Sequence, residues 1–305
     1  MTMTRDDLPL LAGIEAGGTK FVLALGTADG KIVDRASIPT TTPQETLGSA
    51  IDWFKARAGF AALGVASFGP LVLDPQDPKY GHFAPTPKPG WSEADLVGPL
   101  KRALGVPVGL DTDVNGAGLG EARLGAGRGF ASIAYITIGT GLGGGLILDG
   151  KPVHGLTHPE MGHMKPRMHP SEPDFAGVCP YHGTCIEGLV SGPAVMKRLG
   201  YKLSDAAPDH PIWEVLGFYI GEFCANLVLI ASPQRIILGG GVMSNSGLFP
   251  PVRRALVTTL NGYVGHPAIT SGAEDFIVPP GLGDNAGAVG ALLLAEQALD
   301  AANRG

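Results

Sequence analysis

The sequence predicts an α/β protein of two lobes built from a duplicated unit, with a ligand cleft between them. Three observations carry this expectation. The chain has 305 residues, more than one core of roughly 250 residues accommodates. Strand-rich and helix-rich stretches alternate twice in similar order, as a repeated α/β unit would. Each series opens on a glycine-rich hairpin, GIEAGGTK at 13–20 and TIGTGLGGG at 137–145.

The first lobe begins as a β-meander, with strands at 10–15, 21–25 and 31–36 and Asp29-Gly30 as a hairpin signal. Leu47, Ile51 and Phe54 fall at helical spacing within 43–58, and the apolar run 63–67 reads as a buried parallel strand. A helix at 92–104 and a strand at 106–110 follow. From 113 the order resumes: a helix at 114–123, a strand at 132–138, the glycine turn, and a strand at 144–148. A loop rich in Pro and His fills 151–185. Helices are expected at 190–199 and 211–231, a strand at 235–238, and an amphipathic helix at 285–299. The predicted boundaries are 1–112 for the first lobe, with the C-terminal helix at about 285–305 packing back on it, and 113–284 for the second. The glycine clusters, LGGGV at 238–242 included, read as tight turns between strands.

Composition narrows the class. With 44% hydrophobic and 16% charged residues the chain folds as a globule. A net charge of -6 and no Lys/Arg run argue against nucleic acid as a partner. Asp6 and Asp7 precede only a short apolar stretch, the wrong order for a signal peptide, and runs such as 227–231 fall far short of the roughly 20 residues that span a bilayer. No membrane association and a cytoplasmic location are expected.

Two glycine motifs mimic unrelated folds. GIEAGGTK is nearly a P-loop and TIGTGLGGG contains a formal G-x-G-x-x-G, yet apolar strand-like runs follow both, where either motif must open a helix. What remains is a hairpin whose backbone N–H groups can face a phosphate. At the lobe junction, GLDTDVNGAGLGE offers Asp111 and Asp113. Asp113 reads either as a cap for the helix from 114 or as a functional carboxylate at a strand end, whereas Asp111 reads as structural. His163, Cys179, His182 and Cys185 form an N₂S₂ set with tight Cys-x₂-His-x₂-Cys spacing, which suits tetrahedral Zn²⁺ better than a disulfide. His158 and His169 read as ordinary surface residues, and Trp91 as a packing residue.

Together these motifs resemble the ROK family of sugar kinases and repressors, in the actin-like ATPase (ribonuclease H-like) superfamily, along most of the chain. Zinc-containing bacterial fructokinases are the members it most resembles. The resemblance implies ATP-dependent phosphorylation of a hexose at its 6-hydroxyl, with D-fructose the substrate and glucose, mannose or aminosugar kinases as alternatives. Asp113 takes the place of the catalytic base. Gly17, Gly18, Thr19, Lys20, Thr140 and Gly141 are implied at the ATP phosphates, and Gly239, Gly240 and Gly241 at the adenosine. Glu15 stands where the family usually has Asp and would steer Mg²⁺ through water together with Asp113.

Gly69, Thr112, Asp113, Glu160, His163 and Glu187 are implied at the sugar. Thr112 departs from the family's Asn and tilts specificity away from glucose, and His182 stands where the family's box has a third cysteine. The zinc is expected to be structural, because four protein ligands leave no open position. The Pro-rich loop at 83–96 resembles one that closes over a ligand, and a homodimer is implied. A sugar-responsive regulator would carry a helix-turn-helix ahead of the first hairpin, where this sequence has a dozen residues. A non-catalytic nucleotide-binding protein would lack Asp113.

Overall fold

The computed structural model describes residues 8–57, 59–86 and 88–304; Asp6, Asp7 and Pro87 of the 83–96 loop lie outside the described residues. By its internal contacts the chain divides into two units, Met1–Gly125 with Lys151–Pro159 and Asp284–Gly305, and Ala126–Gly150 with Glu160–Gly283.

In the first unit β1 (Leu11–Ala16), β2 (Lys20–Gly26) and β3 (Ile32–Pro39) form an antiparallel meander. Helix α1 (Pro43–Lys55) follows, with Thr42 as N-cap accepting from Glu45 N–H and Pro43 in its first turn. Strand β4 (Leu63–Ser67) pairs parallel with β1, setting Ala12 opposite Leu63. Helix α2 (Val97–Leu104) ends at Gly105 in the left-handed conformation, and β5 (Val108–Thr112) pairs parallel with β4. The sheet order is β3-β2-β1-β4-β5. Phe21, Phe54, Phe83, Trp91 and Leu100 are fully buried on its core, each large apolar side chain contributing roughly 1.5–3 kcal/mol by burial.

Helix α2 is shorter than the 92–104 expected. Ala94 N–H donates to Trp91 O in a turn, and Glu93 has a left-handed φ of 60°, which no α-helix accommodates. Helix α3 (Asp113–Leu124) falls in this unit, not with the residues that follow it.

Strands β6 (Ser132–Ile138) and β7 (Leu142–Leu148) of the second unit form its antiparallel hairpin. The two-residue strand β8 (Lys151–Pro152) follows in the segment that belongs to the first unit. Where one helix was expected at 190–199, two short ones occur: α4 (Ile186–Val190) and α5 (Gly192–Leu199). Ser191 between them is extended, with ψ 163°, and Pro193 lies in the first turn of α5, so the helix starts afresh.

Helix α6 (Ile212–Ala231) is long and apolar enough to span a bilayer, but it is the core helix of this unit, with Tyr219, Phe223 and Cys224 buried. Strand β9 (Arg235–Gly239) pairs parallel with β6. Its glycine cluster does not turn into another strand as expected: Gly239 caps the short helix α7 (Gly240–Met243). The reason is local, since Gly240 has a φ of 87° and a β-carbon there would collide with the backbone of Ile138. Helices α8 (Phe249–Leu260) and α9 (Pro267–Thr270) and strand β10 (Ile277–Val278), paired parallel with β9, have no counterpart in the expected order.

The order β10-β9-β6-β7 repeats β5-β4-β1-β2 of the first sheet, which is the duplicated arrangement of the actin-like ATPase fold. Helix α10 (Ala286–Arg304) closes the chain and packs in the first unit on β1, β4 and α3. Arg123 of α3 and Glu296 of α10 form an ion pair at that contact.

Candidate active site

In the first unit the β1–β2 hairpin is tied down from β3. Gly17 N–H donates to Lys20 O (2.9 Å), Thr40 Oγ1 donates to Gly17 O (2.7 Å), and Thr40 N–H donates to Thr19 O (3.0 Å). Gly18, Thr19 and Lys20 are exposed at its tip, so the peptide groups there are held in place while remaining accessible to an anion.

Beside the hairpin, Glu15 is half-buried. Burial pushes its carboxyl above the usual range, and the charge of Asp113 raises it further, while Arg35 and Lys20 draw it back. The Asp113 charge therefore opposes ionisation of Glu15, and a divalent cation would relieve such a repulsion.

At the junction segment the helix cap is not Asp113. Thr112 is the N-cap of α3, its Oγ1 accepting from Asn115 N–H at 3.2 Å. Asp113 occupies the first helical position and accepts from Val114 N–H at 2.9 Å. Thr112, expected at a sugar hydroxyl, is 3% exposed with its hydroxyl engaged in the cap. Asp111 is also 3% exposed and accepts from Thr112 N–H and Asn115 Nδ2, both at 2.7 Å. His154 Nε2 lies 3.1 Å from the same carboxylate, and that hydrogen bond raises the imidazole above the ordinary His range.

His158 is not the surface residue expected. It is 6% exposed and its Nε2 accepts from Leu71 N–H at 3.2 Å, which sets its tautomer and fixes the turn containing Gly69. His169 is half-buried against Phe218 and Tyr219. Trp91 is fully buried, and its Nε1 donates to Thr41 O at 2.8 Å.

The second unit holds the other hairpin. Gly139 N–H donates to Gly141 O (2.8 Å) and Gly192 N–H to Gly139 O (2.7 Å), which ties the β6–β7 turn to the start of α5. Glu187 Oε2 accepts from Leu142 N–H at 3.0 Å, so this carboxylate abuts the hairpin. A cavity of about 430 Å³ lies beside it, lined by Thr140, Gly192, Met196, Lys202, Gly241 and Asn245 among others. It brings together Thr140 and Gly241, named from the sequence for ATP. Met196, Lys202 and Asn245 were not named, for they carry no motif and meet only through the fold.

His163, Cys179, His182 and Cys185 converge, with their ligand atoms all within 4.8 Å of one another. Cys179 Sγ lies 3.8 Å from His163 Nδ1 and 3.7 Å from His182 Nδ1, and Cys185 Sγ lies 3.6 Å from His163 Nδ1. A tetrahedron with metal–ligand bonds of about 2.0–2.3 Å has edges of about 3.3–3.8 Å; these three separations match it, and two thiols with two imidazoles are a donor set that suits zinc. Burial, with Cys179 adding to it, pushes the Cys185 thiol up to about 11, so a thiolate there calls for a bound cation. Glu160 is exposed and precedes the turn Met161–His163.

Known proteins resemble this chain along most of its length. The profile of the ROK family matches residues 11–298. The fructokinase of Zymomonas mobilis is 48% identical over 300 residues, covering 95% of this chain and 98% of that one. A putative fructokinase of Bacillus subtilis is 45% identical over 96% of this chain and 97% of its own. Among solved structures, a ROK family glucokinase from Streptomyces griseus in complex with glucose and AMPPNP superposes with a TM-score of 0.75 at 26% identity, covering 94% of this chain and 99% of that one. Family profile, relatives and duplicated sheet order agree, and the chain belongs to the ROK family.

Proposed function

We propose that this protein is a fructokinase, transferring the γ-phosphoryl group of ATP to the 6-hydroxyl of D-fructose. The observation that carries the reading is the near-complete coverage of the fructokinases of Zymomonas mobilis and Pediococcus pentosaceus, at 48% and 46% identity, by a chain that keeps a half-buried carboxylate, Asp113, at a strand-to-helix junction.

Phosphoryl transfer to an alcohol asks the protein for alignment, charge neutralisation and a carboxylate that accepts the hydroxyl proton. Asp113 is that carboxylate in this reading. Gly17, Gly18, Thr19 and Lys20 on one hairpin, and Thr140 and Gly141 on the other, hold the phosphates through backbone N–H groups. Gly239, Gly240 and Gly241 border the nucleoside, which the cavity beside Thr140 suits in size. Glu15 and Asp113 would hold Mg²⁺ through water, and the ion neutralises charge on the β- and γ-phosphates when bound.

Gly69, Thr112, Glu160, His163 and Glu187 are assigned to the sugar, Thr112 through its backbone and position, since its hydroxyl caps α3. Structural Zn²⁺ on His163, Cys179, His182 and Cys185 would orient His163, whose Nδ1 faces the sulfurs and whose other nitrogen is left for substrate. The reading takes the enzyme to be cytoplasmic, and homodimeric on the strength of the resemblance.

A coupled ADP-release assay over a panel of hexoses tests it, with fructose expected to give the highest kcat/KM. Asp113→Ala is expected to abolish turnover while ATP affinity stays within about threefold. Substantial turnover in that variant would remove Asp113 from the role of base.

A further inference from the structure

We propose that His154 is a positioning residue for the catalytic base, acting through Asp111. The inference rests on Asp113 being that base. Asp111 is a buried hub whose carboxylate receives Thr112 N–H, Asn115 Nδ2 and His154 Nε2. Two of these donors bracket Asp113 in the chain, one position before it and two after. The carboxylate therefore holds the backbone N–H of Thr112 on one side of the base and the side-chain amide of Asn115 on the other, and where Asp111 sits, Asp113 follows.

Thr112 and Asn115 are local to the turn and travel with it. His154 alone comes from a distant segment, 43 residues away in sequence. Its role is that of a tether, joining the hub to the coil that follows β8, outside the turn that carries Asp113. Asn115 Nδ2 also lies 3.3 Å from His154 Nε2. A carboxylate only accepts, so the ring nitrogen 3.1 Å from Asp111 carries the proton, and its separation from the amide is that of two donors converging on one acceptor.

The ring is 41% exposed, so packing alone gives a weak reason for an imidazole here, and its hydrogen bond to the hub gives a specific one. A proton acceptor displaced by about 1 Å from its working geometry costs on the order of 100-fold in rate. That sensitivity lets a partner outside the reaction matter to it.

The test compares wild type, His154→Ala, His154→Gln and Asp113→Ala by fructose-dependent ADP release, with melting curves for each. Gln is chosen because its Nε2 keeps a donor at similar reach. His154→Ala is expected to lose about 10- to 100-fold in kcat, with KM for ATP and for fructose and the melting temperature near wild type. His154→Gln is expected to recover most of the rate, and His154→Ala to add little in an Asp111→Asn background.

A kcat within about twofold of wild type in His154→Ala overturns the inference. So does a loss confined to KM for fructose, which would make the ring a sugar contact, or equal losses in Ala and Gln with a lowered melting temperature, which would make it purely structural. Turnover surviving in Asp113→Ala would instead overturn the assignment of the base, so the two failures are distinguishable.

Discussion

Gly287, in the first turn of α10, lies against the carboxyl group of Glu15: a β-carbon built there would meet Glu15 Cδ and stand 2.6 Å from Oε1. The closing helix therefore forms one wall of the pocket holding this carboxylate, and contributes to the burial that raises its pKa. Gly287→Ala forces the side chain aside. Overpacking of this kind costs roughly 1–3 kcal/mol, readable by denaturant unfolding. If Glu15 helps hold Mg²⁺, the Mg²⁺ concentration for half-maximal ADP release should rise about tenfold, equivalent to about 1.4 kcal/mol. An unchanged Mg²⁺ dependence in a folded variant would separate Glu15 from the metal.

Gly240 and Gly241 are adjacent and should fail differently. At Gly240 a side chain meets both a φ of 87° and the backbone of Ile138, so Gly240→Ala is expected to lower stability by about 1–3 kcal/mol. At Gly241 a β-carbon meets nothing within 4 Å, yet the residue lines the cavity beside Thr140. Gly241→Val should keep its melting temperature and raise KM for ATP by about tenfold or more, with kcat reduced less. Equal KM values in the two enzymes would place the nucleoside elsewhere.

What the sequence made legible was local. The two hairpins stood out because glycines interrupt apolar runs, and the strands after them (Lys20–Gly26 and Leu142–Leu148) justify rejecting the P-loop and the dinucleotide motif. The N₂S₂ set was legible because three of its four members fall within seven residues.

The third glycine cluster was misread because Gly240–Met243 is a single helical turn, too short to show a 3.6-residue period. His158 was taken for surface because its partner, Leu71 N–H, is 87 residues away. His154 went unremarked for the same reason, its partner lying on β5. A single polar residue gives no periodic signal, so a tertiary hydrogen bond has nothing in sequence to announce it.

Glu172 and Arg198 provide the pH-dependent prediction. Burial opposes ionisation of Glu172, but two hydrogen bonds from Arg198 and one from Tyr219 prevail and hold its carboxyl below the usual range. A depressed folded pKa means that the stabilisation is fully present above the unfolded value and is lost as pH falls through the folded one. Arg198 is 8% exposed and also stacks on Phe175, 3.7 Å from its ring centre. Removing one member of such a pair costs roughly 3–5 kcal/mol. Glu172→Gln should therefore be less stable than wild type at pH 7, with the gap narrowing below about pH 4.5. Parallel unfolding curves across that range, with a constant gap, would contradict the pair's role.

With zinc on the four residues, its removal is expected to loosen the loop around His182, the exposed member of the set. Cys179 N–H and Gly183 N–H exchange hydrogen bonds with the opposite carbonyls, and Val178 N–H donates to Gly188 O, but His182 is exposed and Tyr181 beside it is 68% exposed. Metal analysis is expected to return about one zinc per chain. A chelator should lower the melting temperature and raise KM for fructose before it affects KM for ATP, since Glu160 and His163 are assigned to the sugar. His182→Ala should lose zinc, whereas His182→Cys, which supplies a thiolate at the same vertex, should retain it. Zinc-free protein with an unaltered melting temperature and fructose KM would leave the four residues as a coincidence of the loop, and Glu160 and Glu187 would then have to be tested as sugar contacts without the anchor proposed to orient them.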